Sequence, residues 1–385
     1  MALSHSPAVV TNGLVYYHDM GNTQKSWKGA PIVNLFGTNL SATNSQRTLS
    51  GVTYNGWTAT GVGNDNPRTT LFNGSITVAA STFYTLSCLY WSSDDILDDV
   101  YLYFTDTGWP ESTNYIQPFS TQSVTRNGSF SITDLGGRWK YCVGTFQTLA
   151  TTTTLGQIFF DVDVAGVEVF ITNIQLEQNT FATPYVAGTR SNTQAIVDLT
   201  GVNTVTANLT YASDGTFSFN GSSNWIELPT SSVFDSQNIT MESWNKPTTI
   251  SQNGFLFEKG QVNTQYSNFY NSDGTFYFRT IGLTPQDLTF TAATHITAGQ
   301  WNHIVCTVGA GVKTVYINGI QRYQQTGVTG TLPTGQTNQY IGKYGNAGNN
   351  YPFNGQISIS KVYNRALLAE EVLQNFNAHK GRYGL

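Results

Sequence analysis

The sequence has 385 residues and a formal net charge of −5, and 11% of its residues are charged whereas 13% are aromatic. Average proteins carry roughly 25% charged residues, and long helical bundles and coiled coils need these residues on their solvent faces, so the composition excludes both architectures. The negative charge, without a cluster of Lys and Arg, also excludes a nucleic-acid groove, and no stretch approaches the roughly 18 apolar residues of a membrane span. What remains is an all-β protein of two or three domains that binds neither nucleic acid nor membranes.

The first 30 residues contain scattered Gly and Pro and precede the first dense strand pattern. They predict an N-terminal extended arm that docks on another surface, with a neighbouring subunit as one candidate. The chain starts without a basic segment followed by an apolar run. We therefore expect no secretory signal, and synthesis in a reducing cytoplasm.

Two tandem jelly-roll β-sandwiches are predicted after the arm, over residues 31–190 and 195–385. Apolar and polar residues alternate along many short segments such as 83–91, which is typical of half-buried strands. Asn-Gly and Asp-Gly pairs between these segments predict tight hairpin turns. The polar stretch 187–196 marks the boundary between the two domains.

The three cysteines, Cys88, Cys142 and Cys306, each lie inside an apolar strand pattern and lack the spacing of metal ligands. Buried free thiols are predicted, with a Cys88–Cys142 disulfide as the alternative.

One short C-terminal helix is predicted over residues 366–376. Leu368, Val372 and Phe376 recur at helical spacing, so this face should pack on the last sheet.

The second half carries an ordered set of motifs that covers most of residues 195–385. They include Asp-Gly-Thr-Phe-Ser-Phe-Asn-Gly and Trp-Ile-Glu-Leu-Pro, and they lie at 214–221, 225–229, 239–247, 301–308, 315–319 and 353–367. Together they resemble a concanavalin A-like, laminin G-like jelly roll. Related domains cap the last helix with Ser or Thr where this sequence has Leu368, so another residue, with Asn364 as candidate, should stabilise the helix start.

The first half contains Phe-Tyr-Thr-Leu-Ser at 83–87, Gly-Arg-Trp-Lys-Tyr at 137–141, and Gln-Leu-Glu at 175–177 followed by Ala-Thr-Pro-Tyr at 182–185. These motifs resemble the carbohydrate-binding-module-like jelly rolls of phage particle proteins. The opening 4–17 is similar to the starts of structural proteins of tailed phages, notably those of marine cyanobacteria. The resemblance implies a protein of the virion.

Catalysis is not expected. Glucanases of the concanavalin A-like fold carry Glu-x-Asp-x-x-Glu on one strand, and this spacing is absent. The five histidines are scattered, and His303 on its strand reads as a core-edge or surface residue. No cofactor is expected. A structural Ca²⁺, which modules of both resembled types often hold, stays open, with Asp161 and Asp163 as candidate ligands.

Carbohydrate binding is the more informative hypothesis, because sugar faces stack on aromatic rings while amides hydrogen-bond the hydroxyl groups. Two loops combine these side chains; the candidates are Trp109, Asn114 and Tyr115 in the first loop and Tyr344, Asn346, Asn349 and Tyr351 in the second. The alternative is that Trp109 or Tyr344 fills a sandwich end or a subunit contact, since interfaces favour the same residues.

These observations predict a non-enzymatic phage virion structural protein on the particle surface, a decoration or fibre subunit made in the host cytoplasm. Its expected partners are other capsid or tail proteins and further copies of itself in a homo-oligomer, contacted through the arm and the sandwich faces. Host-surface glycans are a further candidate partner. A tail-associated receptor-binding lectin is the first alternative and a polysaccharide depolymerase the second. Head or tail location, the oligomeric state and the host stay open.

Overall fold

The computed structural model describes the chain from residue 8 to residue 385 except for residues 23–24, 37–42, 62–68, 73–74, 95–99, 106–114, 117–128, 149, 151–153, 157, 163, 212–216, 261–264, 336 and 346–350. The prediction of an all-β fold with one short C-terminal helix is confirmed. No helix in these described parts is long and apolar enough to cross a membrane.

The chain forms two compact units. Unit 2 spans Pro31–Ser191, and unit 1 combines the described residues up to Ala30 with Asn192–Leu385. Each unit contains its own sheets and its own hydrophobic core.

Unit 2 is built from short strands, as its alternating sequence predicts. They are β2 (Ile32–Val33), β3 (Ser45–Leu49), β4 (Val52–Thr60), β5 (Thr69–Phe72), β6 (Ile76–Thr77), β7 (Phe83–Ser92), β8 (Val100–Thr105), β9 (Tyr115–Ile116), β10 (Ser129–Gly136), β11 (Trp139–Gln147), β12 (Thr154–Leu155), β13 (Ile158–Val162), β14 (Glu168–Glu177) and β15 (Thr189–Arg190).

A six-stranded sheet with the order β10-β11-β7-β14-β4-β3 and a four-stranded sheet with the order β5-β13-β8-β9 form most of unit 2. Alternate residues of β7, from Tyr84 to Tyr90, enter its core. Cys88 and Cys142 lie directly opposite each other on β7 and β11, and both are buried free thiols, as is Cys306 in unit 1.

Unit 1 contains the remaining strands. They are β1 (Leu14–Asp19), β16 (Thr206–Asn208), β17 (Thr210–Tyr211), β18 (Phe217–Asn220), β19 (Trp225–Leu228), β20 (Ile239–Pro247), β21 (Gly254–Lys259), β22 (Tyr266–Tyr270), β23 (Thr275–Thr280), β24 (Leu283–Thr284), β25 (Asp287–Thr291), β26 (Asn302–Gly309), β27 (Val312–Ile317), β28 (Ile320–Thr326), β29 (Thr329–Gly330), β30 (Gln339–Ile341) and β31 (Asn354–Tyr363).

Two large sheets of unit 1 enclose its core. The first has the order β17-β18-β31-β20-β26-β27-β28, and β1 also pairs with β31, giving eight strands. The second has seven strands in the order β16-β19-β30-β21-β22-β23-β25. Apolar side chains from both sheets, among them Phe219, Phe276 and Ile304, form one buried cluster between them.

The described part of the predicted arm docks within its own chain. Strand β1 pairs antiparallel with β31, so that Tyr17 lies opposite Lys361. Ahead of β1, the Val10 N–H donates to Asn375 Oδ1 at 2.8 Å and the Tyr363 hydroxyl donates to the Val10 carbonyl at 3.0 Å. The described part of the arm therefore contributes strand β1 to unit 1. The sequence suggests a neighbouring subunit as one candidate for its docking surface, and the structure places this strand on its own chain instead.

The C-terminal helix α1 spans Ala369–His379 and starts three residues later than the spacing predicts. The Leu368 N–H donates to Glu371 Oε2 at 2.9 Å, and Arg365 donates to both Glu371 oxygens at 2.7 and 2.6 Å. The helix start is thus stabilised by Glu371 and not by Asn364, whose backbone N–H donates to the Gly13 carbonyl. Because it precedes the helix, Leu368 is 59% exposed instead of packed on the sheet.

A buried polar cluster, which we call the Glu242 network, lies where α1 meets the eight-stranded sheet. Glu242 Oε1 accepts from Lys361 Nζ at 2.6 Å and lies 3.2 Å from His303 Nε2, and Glu242 Oε2 accepts from Asn375 Nδ2 at 2.6 Å. The side chains of Glu242, Lys361 and His303 are fully buried. His303, expected at the surface or the core edge, is thus a buried partner of a carboxylate.

Candidate functional site

The outer face of the seven-stranded sheet carries a set of aromatic and charged side chains. On β23, Phe276 and Phe278 enter the core, so Tyr277 and Arg279 between and after them point to the other side. We call this surface the aromatic face; it comprises Trp225, Glu227, Phe255, Glu258, Ser267, Phe269, Tyr277, Arg279, Asp287, Tyr340, Lys343, Tyr344 and Tyr351.

A continuous row of stacked rings crosses this face. Tyr277 and Phe269 stack at 4.9 Å between ring centroids, Phe269 and Phe255 at 4.4 Å, and Phe255 and Tyr344 lie 4.9 Å apart. Tyr351 continues the row at 5.8 Å from Tyr344. Such contacts orient each ring against its neighbour, so the surface is preorganised.

Tyr351 stands out within the row because its ring is 38% exposed and its backbone φ is 35°. Positive φ is costly for a bulky residue, and such strain clusters at binding sites. Tyr344, in contrast, is only 8% exposed, because neighbouring rings cover it.

A second group lies on the strands next to this row. The Lys343 ammonium lies 4.2 Å from the centroid of the Trp225 ring and 4.3 Å from that of Tyr340. Tyr340 is directly opposite Glu227 on one neighbouring strand and Glu258 on the other. Burial lowers the pKa of Lys343, while the negative charges of Glu227 and Glu258 act in the other direction.

Glu258 is the most perturbed acid on the aromatic face. It is 3% exposed, and burial raises its pKa to about 8, against the opposing effects of the Gly345 N–H, which donates to Oε2 at 2.5 Å, and of Lys343. The carboxyl is therefore protonated at neutral pH and can donate a hydrogen bond.

Replacement of Glu258 by Gln should stabilise unit 1 at alkaline pH. A raised folded pKa means that the stability contribution of the protonated carboxyl is present below pH 4.5 and is lost as the pH rises through about 8. The amide cannot ionise, so at pH 9 we expect the free energy of unfolding of Glu258→Gln to exceed that of the unmodified protein by about 5 kcal/mol. Urea denaturation at pH 6 and pH 9 measures the difference, and an equal effect at both pH values would contradict the assignment.

Glu227 and Glu258, two of the three acidic residues of this face, are not arranged as a hydrolytic pair. Glu227 and Glu258 lie on strands separated by β30, and the Lys343 ammonium lies over the Tyr340 ring of that strand, which is the space a sugar would need between them. The accessible rings of this face are Trp225, Tyr277 and Tyr351, with charged groups beside them, whereas its other aromatic rings are at most 8% exposed.

The residues proposed from sequence are only partly described. Tyr344 and Tyr351 come together on the aromatic face, and the backbone of Tyr115 lies on β9. Trp109, Asn114, Asn346 and Asn349 lie outside the described residues, as does Asp163 of the calcium candidate, and only the backbone of Asp161 is described. Among the described residues, no group of three or more His, Cys, Asp and Glu side chains could hold a metal ion.

Sequence reasoning missed Trp225, Phe255, Phe269, Tyr277 and Tyr340. Each of them lies next to a core residue on its strand, so the alternation that could have located them is present. Because both faces of these strands carry aromatic residues, the alternation does not indicate which face is exposed.

Comparison with protein families places residues 220–373 in a model described as the concanavalin A-like lectin/glucanases superfamily, Laminin_G_3. This part of unit 1 is therefore similar to a concanavalin A-like, laminin G-like domain. The matched span begins at the end of β18 and ends inside α1, so it contains most of the aromatic face. A comparison with curated protein sequences gave no match.

Solved structures similar to the chain include the receptor-binding domain of botulinum neurotoxin D, with 13% identity and a TM-score of 0.38 over 50% of this chain and 51% of that one. The binding domain of botulinum neurotoxin DC in complex with SialylT matches at 14% identity and a TM-score of 0.37 over 49% and 50%. Domain 4 of AbnA, an extracellular arabinanase from Geobacillus stearothermophilus, in complex with arabinotriose, matches at 20% identity and a TM-score of 0.37 over 48% and 92%. The chain spans about half the length of the neurotoxin domains that it matches.

Proposed function

We propose that this protein binds glycans through the aromatic face of its laminin G-like domain and acts as a surface subunit of a phage particle. The observation that carries the binding proposal is the row from Tyr277 to Tyr351, in which stacked rings end in an exposed, backbone-strained tyrosine. Ligand sites typically combine aromatic surface with a few fixed polar groups, and this face provides both.

The particle proposal rests on the phage-like motifs of the sequence and on the low charge, which suits packed subunit interfaces. Residues 8–19 are engaged within unit 1, so assembly with capsid or tail proteins and with further copies would use other surfaces. A receptor-binding lectin of the tail agrees with the aromatic face equally well. A depolymerase is less well supported, because of the position of Lys343 between the carboxylates.

Loss of single rings should weaken glycan binding. We expect Tyr351→Ala and Tyr277→Ala each to reduce affinity at least tenfold, or about 1.4 kcal/mol, because aromatic side chains dominate binding energy at such surfaces. A glycan array with the full chain identifies ligands, and titration calorimetry measures the variants. Tyr185→Ala is the matched control, since Tyr185 is a 42% exposed tyrosine of unit 2.

Binding that stays unchanged in both variants would contradict the site, and absence of any glycan ligand would contradict the binding function. Mass spectrometry of purified virions tests the particle proposal separately. The protein should be detected there, and its absence would contradict the proposal.

A further inference from the structure

A small pocket beside the aromatic face lies between residues of β21, β22 and β23 and the adjoining Gln265 and Ile281. Its walls include Phe255, Glu258, Gln265, Ser267 and Arg279. Four of these five side chains are polar, so the pocket offers hydrogen bonds next to the ring row.

Gln265 places an unsatisfied hydrogen-bond acceptor in the wall of the pocket. The side chain is 3% exposed, and its Nε2 donates to the Gly335 carbonyl at 3.0 Å, which fixes the amide orientation. Its Oε1 is buried and accepts no hydrogen bond from the described residues. A buried acceptor without a partner costs free energy until a ligand or a water donates to it.

The other polar groups supply the complementary function. The Ser267 hydroxyl can donate or accept. Glu258 is protonated at neutral pH, because burial raises its pKa to about 8, and its carboxyl can donate as well as accept. A group that enters the pocket must therefore both donate and accept, and a hydroxyl group does both.

The charges of the aromatic face are balanced. Arg279 donates to both oxygens of Asp287, at 2.8 and 3.0 Å, Lys259 of the pocket wall pairs with Asp235, and Lys343 lies within the electrostatic influence of Glu227. Each cation that the structure describes on this face is thus compensated by a carboxyl group. A carboxylate or sulfate group placed in the pocket would bring only acceptors and would leave Gln265 Oε1 unsatisfied.

We propose that the aromatic face binds neutral, hydroxyl-rich glycans and that this pocket takes one hydroxyl group of the bound sugar, hydrogen-bonded to Gln265 and Ser267. This inference rests on the proposed glycan-binding function and adds the ligand class. The preference for neutral sugars has two causes. Gln265 in the pocket needs a hydrogen-bond donor, and the balanced charges of the aromatic face do not attract anions.

The test uses the full chain and pairs of oligosaccharides that share a backbone and differ only in added sialic acid, uronic acid or sulfate. Neutral members should bind at least as tightly as their acidic counterparts. Ser267→Ala and Gln265→Met should each weaken neutral binding three- to tenfold, whereas Thr326→Ala, an exposed position on β28 of the eight-stranded sheet, should not. Ser267→Ala removes only a hydroxyl group, so it reports on the pocket even where Gln265→Met disturbs the fold.

The outcomes separate the two proposals. Preference for acidic glycans, or neutral binding that is unaffected by Ser267→Ala and Gln265→Met, would overturn the ligand class or the pocket while glycan binding stands. Binding of no glycan at all would overturn the proposed function together with this inference.

Discussion

Replacement of Glu242 by Ala is expected to lower the free energy of unfolding of unit 1 by about 3–5 kcal/mol, the usual cost of removing one partner from a buried ion pair. Glu242 accepts from Lys361 and Asn375 and faces His303, and the side chains of Glu242 and of its two titratable partners are inaccessible to solvent. The alanine variant leaves the Lys361 ammonium buried without its counterion. The network joins β20, β26, β31 and α1, so the loss should spread across the sheet.

Chemical denaturation followed by tryptophan fluorescence provides the measurement, because Trp244 stacks on Tyr383 at 4.3 Å and on Phe376 at 5.7 Å and so reports on helix docking. Glu370→Ala, an exposed acid on the same helix, is the control and should change stability by less than about 0.5 kcal/mol. The double variant Glu242→Leu/Lys361→Met should recover most of the loss, since two apolar groups need no counterion. A loss below about 1 kcal/mol in Glu242→Ala would contradict the role assigned to the network.

Acidification from pH 6.5 to pH 4 is expected to destabilise unit 1 strongly through two buried histidines. Burial lowers the pKa of His18 and of His379 from 6.5 to about 4. The unfolded chain takes up these protons near pH 6.5, but the folded chain only near pH 4, so falling pH favours the unfolded state. Each histidine accounts for a loss of about 3 kcal/mol over this range, with no further loss below pH 4.

The charged groups around the two histidines do not reverse the lowering of their pKa values by burial. His18 faces Asp19 and Asp198, which favour its protonation, and His379 faces the pairs Lys361 with Glu242 and Arg382 with Asp19, which oppose each other. Burial outweighs both sets. Stability measured by urea denaturation at several pH values should lose part of its acid dependence in His379→Gln, because His18 and the buried His303, whose pKa burial also lowers, keep theirs.

Local signals explain the parts of the fold that the sequence predicts. Alternation predicts β7, and the Asn318–Gly319 pair predicts the turn between β27 and β28, where both residues have positive φ, 52° and 75°. Gly319 also lets Phe376 of α1 approach, because a Cβ at this position would lie 2.8 Å from the ring.

Long-range partners explain what the sequence leaves undetermined. Tyr17 pairs with Lys361 across more than 340 positions, and nothing near either residue indicates the other. The Gln-Leu-Glu motif likewise has a packing role: Gln175 Oε1 accepts from the Val186 N–H at 2.8 Å and Glu177 Oε1 from the Thr183 N–H at 2.7 Å, which fastens the Ala-Thr-Pro-Tyr segment to β14. The aromatic face was hidden because Tyr277 lies between two core phenylalanines.

An isolated β-bridge within unit 1 lies beside the two chain connections to unit 2, and it has a mechanical consequence. Trp27 pairs with Ile196, and the Lys28 N–H donates to the Ala195 carbonyl at 2.8 Å, so the chain leaves unit 1 and re-enters it through adjacent hydrogen bonds. Tension applied between Val10 and His379 is carried first by the paired strands β1 and β31, and it reaches this bridge only after they separate. Unit 2 is shielded from that load until the bridge ruptures, so shear at the ends of the chain would strain the laminin G-like domain before it stretches the inserted sandwich.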